Sequence, residues 1–143
     1  MRVFYIFSMK DEFMSLYKDS PDALFSILKH IYFMHESDIH YAFDMFNQLT
    51  NKIAKSSLDR RLFIELHKRM IYSKSGDQHI INNLYQDEIS SLVVKNGHIL
   101  ITCNKNYSSF LEYLLEYNHN YFVCDFEYSD YFFLNQAKIL ASS

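Results

Sequence analysis

The chain reads as an α/β protein, a single domain built on a mixed β-sheet covered by helices. Three observations predict this. Val3-Phe4-Tyr5-Ile6-Phe7 and Tyr121-Phe122-Val123-Cys124 are unbroken apolar runs, the pattern of strands buried on both faces. Asn96-Gly97 separates two further apolar runs, as in a two-residue hairpin. The segments starting at Ser20, Ser57 and Asn106 repeat apolar residues at the helical period. Strands apolar on both sides need helices or loops over them. With 143 residues the chain fits one domain, residues 1–143, and can bury roughly two thirds of its unfolded surface.

The first element is the strand over residues 3–7. Lys10, Asp11 and Glu12 then open a short helix, since acidic side chains are favoured in a first turn. Phe13, Leu16 and Tyr17 follow at helical spacing. Phe13 and Tyr17 are four apart and lie one above the other on one face. A helix of about eight residues is marginal alone, so the two rings either anchor it to the core or reach a partner. Leu16 reads as the core residue of the set. Ser20-Pro21-Asp22 starts the second helix, with Ser as N-cap, Pro at the first helical position and Asp in the first turn. Leu24, Phe25, Ile27, Leu28, Ile31 and Tyr32 give its apolar face, which ends near Met34 or His35. Residues 36–54 fit helix and strand equally. Ser56 or Ser57 caps the next helix, whose apolar positions are Leu58, Leu62, Phe63, Leu66, Met70 and Ile71.

Residues 73–77, with Gly76, read as a loop, and residues 77–85 as one or two helical turns. The hairpin over residues 89–103 has a definite register. Asn96 and Gly97 tolerate positive φ and pair Lys95 with His98, Val94 with Ile99, Val93 with Leu100 and Leu92 with Ile101. Leu92, Val94, Ile99, Ile101 and Cys103 then share one face, with Ser91, Lys95, His98 and Thr102 on the other. Asn106 caps a last helix with Phe110, Leu111, Leu114, Leu115 and Tyr117 inward. An acidic turn over residues 125–130 follows the strand at 121–124, and residues 131–134 close the chain's apolar pattern.

Composition removes several function classes. The net charge is −3 and the basic residues are dispersed, apart from Arg60, Arg61, Lys68 and Arg69 on one helix. That is a solvated helix face rather than the continuous basic surface of a nucleic-acid binder. Two glycines in the whole chain leave no Gly-rich phosphate loop. No stretch of eighteen apolar residues spans a membrane, and the short N-terminal run has no secretory cleavage pattern. Cys103 and Cys124 lie singly in strand-like runs, where free Cys behaves as a small hydrophobe. The expected compartment is a reducing cytoplasm.

Chemistry finds no foothold in the pattern. Asp125, Glu127 and Asp130 form one carboxylate cluster, without a glycine-rich turn or a spaced His beside it. Carboxylates at a strand end are expected to be solvated. His35 and His40 are five apart, off the same-face spacing of a helical zinc pair. The serine pairs lack nucleophile-elbow glycines. No catalytic residue, metal ligand or cofactor is therefore assigned. What remains is a protein-binding regulator or a small cytoplasmic enzyme of unrecognised class. An aromatic patch without a cleft favours the first, and a deep pocket lined by Asp125, Glu127 or His98 the second.

Both ends of the chain carry a resemblance. The apolar strand, Lys10-Asp11-Glu12-Phe13, Tyr17 and the helix with Leu24, Phe25, Ile27 and Leu28 resemble the opening of the SirA family, the sporulation inhibitors of replication. Phe122, Val123, Asp125, Phe126 and Glu127, then Tyr131, Phe133, Leu134 and Asn135, resemble its end. Gln136 stands where the family usually has Pro. The resemblance implies an inhibitor of replication initiation that binds the N-terminal domain of the initiator DnaA. Phe13 and Tyr17 match the family's partner-contact positions. Met45 and Gln48 match positions near the same surface, with different residue types. A protein-interaction module with another partner is the alternative.

Overall fold

In the computed structural model, which describes residues 1–34, 36–118 and 120–136, the N-terminal apolar run is the middle of the sheet. Strand β1 (Arg2–Ser8) lies between β5 (Ile99–Cys103) and β6 (Tyr121–Asp125). With β2 (Tyr72–Ser75), β3 (Gln78–Asn83), β4 (Glu88–Val94) and β7 (Asp130–Phe133), the order is β2-β3-β4-β5-β1-β6-β7. Every pair is antiparallel, so the sheet is not mixed. The helical segment after β1 carries the chain to the far edge. The meander from β2 to β5 then returns by tight turns, which join antiparallel strands only.

Alternation along β1 explains its unbroken apolar sequence. Phe4 and Ile6 join Leu92, Ile101 and Val123 beneath α4 (Lys55–Leu66) and α5 (Phe110–Leu115). Phe7 joins Phe122, Cys124 and Phe133 on the opposite face. There α1 (Asp11–Tyr17), α2 (Pro21–Tyr32) and α3 (Ile39–Leu49) cover the sheet. Phe4, Phe7, Phe110, Phe122 and Phe133 are fully buried, each contributing roughly 1.5–3 kcal/mol relative to exposure. β1 is thus covered on both sides.

Several boundaries differ from the sequence reading. Residues 36–54 hold a 3₁₀ turn, Glu36–Asp38, and then α3. Helix α4 starts at Lys55 behind Ala54, not at Ser56 or Ser57, and stops at Leu66. Lys68 and Arg69 therefore lie beyond it, and Met70 is fully exposed. The presumed loop and helical turns over residues 73–85 are the hairpin β2–β3 and the start of the turn after it, and Ser75 pairs with Gln78 around Gly76 at φ +59°. Helix α5 starts at Phe110 rather than after Asn106, because Glu88 of β4 accepts the Ser109 N–H at 3.1 Å and the Ser109 hydroxyl at 3.0 Å. The β4–β5 register is the expected one, but its turn works differently. Neither Asn96 nor Gly97 is left-handed. Gly97 instead makes room for Phe46, whose Cε1 would lie 3.2 Å from an added Cβ.

A polar chain ties the β2–β3 hairpin to α4. His79 is fully buried, with Nε2 2.7 Å from Asp59 Oδ1 and Nδ1 2.8 Å from the Tyr72 hydroxyl. A carboxylate only accepts, so the neutral ring carries its proton on Nε2 and accepts from Tyr72 at Nδ1. Protonation would make Nδ1 a donor, so the Tyr72 hydroxyl would have to turn and accept, and it would place a charge in a fully buried site. Burial lowers the pKa of His79 against the opposing pull of Asp59, and burial also lowers that of His98. Groups with a depressed folded-state pKa that must charge in acid give stability present above the unfolded pKa of about 6.5 and lost as pH falls below it. Melting curves should therefore show Tm falling between about pH 7 and pH 5. His79→Gln should flatten that slope, and a Tm that rises on acidification would contradict the network.

Candidate partner-binding surface

Backbone hydrogen bonds set α1 beside the C-terminal end of α3. Lys10 N–H donates to Leu49 O at 3.0 Å, Asn51 N–H to Ser8 O at 2.7 Å, and Met9 bridges to Thr50. The Thr50 hydroxyl bonds back to Phe46 O at 2.8 Å, ending α3 at that point. The Asn120 backbone carbonyl accepts the Met9 N–H at 2.9 Å, and its side-chain amide donates to Asp11. A seven-residue helix, marginal alone, is thus held by neighbours at its first turn.

The four residues matched by resemblance come from these two helices. Phe13 and Tyr17 are each half-buried and pack on the core beneath α1, α2 and α3, as does Met45. Gln48 is exposed. Leu16 does not belong to the core: it is 64% exposed, because Phe13, Met14 and Tyr17 already occupy the inward side of this short helix. On α3, Tyr41, Met45 and Gln48 recur at i, i+4 and i+7, one stripe of the helix. Ala42, Phe46 and Leu49 turn to the core, while Tyr41 and Phe43 stay exposed. Leu16, Tyr41 and Phe43 were not singled out from the sequence as surface residues. The signal available was an α3 segment apolar on both sides.

The carboxylate cluster has a structural use. Asp125 is buried, contrary to the solvated strand end expected. It lies 2.8 Å from Arg2 Nε and accepts the N–H groups of Glu127 and Tyr128 at 3.1 Å each. Arg2 also reaches Asp130 at 2.9 Å. Residues 125 and 127 do line an aromatic recess of about 280 Å³ with Val3, Tyr5, Tyr32, Phe33 and Phe126, but the Asp125 carboxylate is committed elsewhere. In that recess the Tyr5 hydroxyl accepts from Tyr32 at 3.0 Å, and this bond with burial pushes the Tyr5 pKa up to about 12. His98 lies tilted against the rings of Tyr5 and Phe7, at 5.4 and 5.9 Å. Burial raises the Cys124 thiol pKa well above its ordinary value, the opposite of an activated nucleophile. Asp125→Asn keeps the turn acceptor and weakens only the pairing with Arg2. It should cost about 1.5 kcal/mol by denaturant melts, with no change meaning that Asp130 alone suffices for Arg2.

Among the described residues no three His, Cys, Asp or Glu side chains gather to hold a metal ion; His35 lies outside those residues. Among them, too, no helix is long and apolar enough to cross a membrane. Arg61 and Arg69 lie over the rings of Tyr117 and Tyr113, at 4.2 and 5.5 Å, so both guanidiniums pack on rings next to α4.

The family model described as "Sporulation inhibitor of replication protein SirA" matches residues 2–138. No curated protein matches the chain.

Proposed function

The chain belongs to the SirA family, and from that premise we propose that it is a non-catalytic cytoplasmic regulator that inhibits the initiation of DNA replication by binding the N-terminal domain of DnaA. The observation that carries this reading is the state of α1. Two aromatic rings, each half-buried, share one face of a short helix, with Leu16 exposed beside them. Half-exposed aromatics and an exposed leucine on a braced element are what a protein interface uses as anchors. Met45 and Gln48 extend the surface onto α3, which the backbone bonds hold against α1. The partner is a protein, with no direct contact to nucleic acid.

The expected complex is one to one and of standard size, about 800 Å² per partner. Titrating the chain with the N-terminal domain of its own host's DnaA, followed by calorimetry, tests this. Saturable binding at unit stoichiometry is the expected result. Absence of binding would leave the family fold in place and remove this function.

A further inference from the structure

On the face of β1 opposite α1 lies a recess of about 160 Å³ whose lining contains hydrogen-bond donors and no Asp or Glu. Tyr121 lines it and is 4% exposed. Its hydroxyl makes no hydrogen bond to any described residue. Among those residues no buried polar side-chain atom lacks a partner, so the hydroxyl is not sealed, and the recess is what it opens on. Ser8, also 4% exposed, accepts from Asn118 Nδ2 at 2.8 Å and donates to no described residue. Two hydroxyls on buried residues thus have no protein acceptor for their protons beside one cavity.

The first turn of α4 borders the same space. Its N-cap is Ala54, which has no side chain to cap with, and the N–H groups of Lys55, Ser56 and Ser57 donate to no acceptor among the described residues. Such an end carries partial positive charge and favours anions. Lys52 and Arg61 add two full charges to the lining. The nearby Glu65 carboxylate is engaged by the Tyr117 hydroxyl.

We propose that this recess binds a phosphoryl-type oxyanion, with the Tyr121 and Ser8 hydroxyls and the first N–H groups of α4 donating to it and Lys52 and Arg61 neutralising its charge. The volume lies below the roughly 300–1,000 Å³ of sites that enclose a whole organic ligand. The recess therefore takes the anionic group and leaves any carrier in solvent. Free phosphate and the phosphoryl end of a small nucleotide share that chemistry. The proposal is independent of the DnaA reading.

The test titrates the full chain with inorganic phosphate at constant ionic strength, reading ¹H–¹⁵N amide shifts and Tm; a second arm uses adenosine monophosphate. Saturable shifts at the amides of residues 55–57 are expected. Tyr121→Phe removes only an unpartnered hydroxyl, so it should leave the phosphate-free Tm unchanged and weaken the apparent affinity at least tenfold. Arg61→Gln should weaken it similarly; if loss of packing on Tyr117 unfolds that variant, Tyr121→Phe decides alone. Phosphate also raises Tm by exclusion from protein surfaces, an effect that does not saturate. A rise that does not saturate, or one equal in Tyr121→Phe, would overturn the proposal. Tighter binding of the nucleotide assigns the group to a carrier, and equal binding assigns the free anion.

Discussion

Phe13→Ala and Tyr17→Ala are each expected to weaken binding to the DnaA N-terminal domain by at least about 2 kcal/mol, roughly thirtyfold. Aromatic anchors near the centre of an interface lose contacts that no neighbour replaces. Tyr17 would also lose a hydroxyl suited to a wet interface rim. Both rings pack partly on the core, so each truncation should also cost about 1 kcal/mol of stability. That is small enough for the variants to remain folded. Leu16→Ala separates the two effects, because Leu16 is largely exposed: it should reduce binding without moving the melt. Melting curves and binding isotherms on the three variants check this. If Phe13→Ala and Tyr17→Ala melt the protein while the folded fraction binds normally, the rings are core residues and the surface lies elsewhere.

Phe25→Ala is the complementary case and carries the largest expected stability loss, about 3–5 kcal/mol. Phe25 is buried on α2 and stacks on Tyr131 of β7 at 4.7 Å and on Phe126 at 5.7 Å. Removing it opens a cavity where α2 meets the sheet edge. For a chain of this length Tm should fall on the order of 10 °C. Binding per folded molecule should hold, because Phe25 lies in the core and not on the α1 surface. A loss below about 1 kcal/mol would mean that the helix finds its seat without this ring.

The legible parts of the sequence were those where one physical demand dominated. Residues 3–7 and 121–124 are apolar on both faces because helices cover β1 and β6 from both sides, and that demand is visible as an unbroken run. The β4–β5 register followed from alternation, although Gly97 serves the Phe46 ring rather than a left-handed turn. The β2–β3 hairpin was missed because Ser73, Lys74 and Ser75 face solvent and show no apolar alternation. Its Gly76-Asp77 step, with Gly left-handed at the first turn position, was the available hairpin signal. Helix α3 was obscured by Tyr41 and Phe43, apolar residues left outside, and such residues blur a period set by burial. The same cause hid Leu16. Its helical spacing was readable, but whether an apolar residue on a two-turn helix faces core or solvent depends on neighbours distant in sequence. Helix α5 began late because its cap is Glu88, from another strand.

The placement of β1 bears on how the chain is made. Arg2 pairs with Cys103 and Tyr5 with Cys124, so the strand of this sheet that is synthesised first is completed by strands synthesised much later. The meander from β2 to β5 can form from local contacts as it emerges. During that time residues 3–7 remain an unpaired, wholly apolar segment waiting for Ile99–Cys103 and Tyr121–Asp125. Pairings this distant close slowly, since the loop entropy must be met before any contact is gained. The exposed strand is meanwhile an adhesive segment of the nascent chain. Until the segment from Asn120 through β6 arrives, α1 has no Asn120 to brace it and lacks Phe122 and Cys124 in the core beneath it. A chain cut short before Asn120 is therefore expected to hold the α1 surface less firmly.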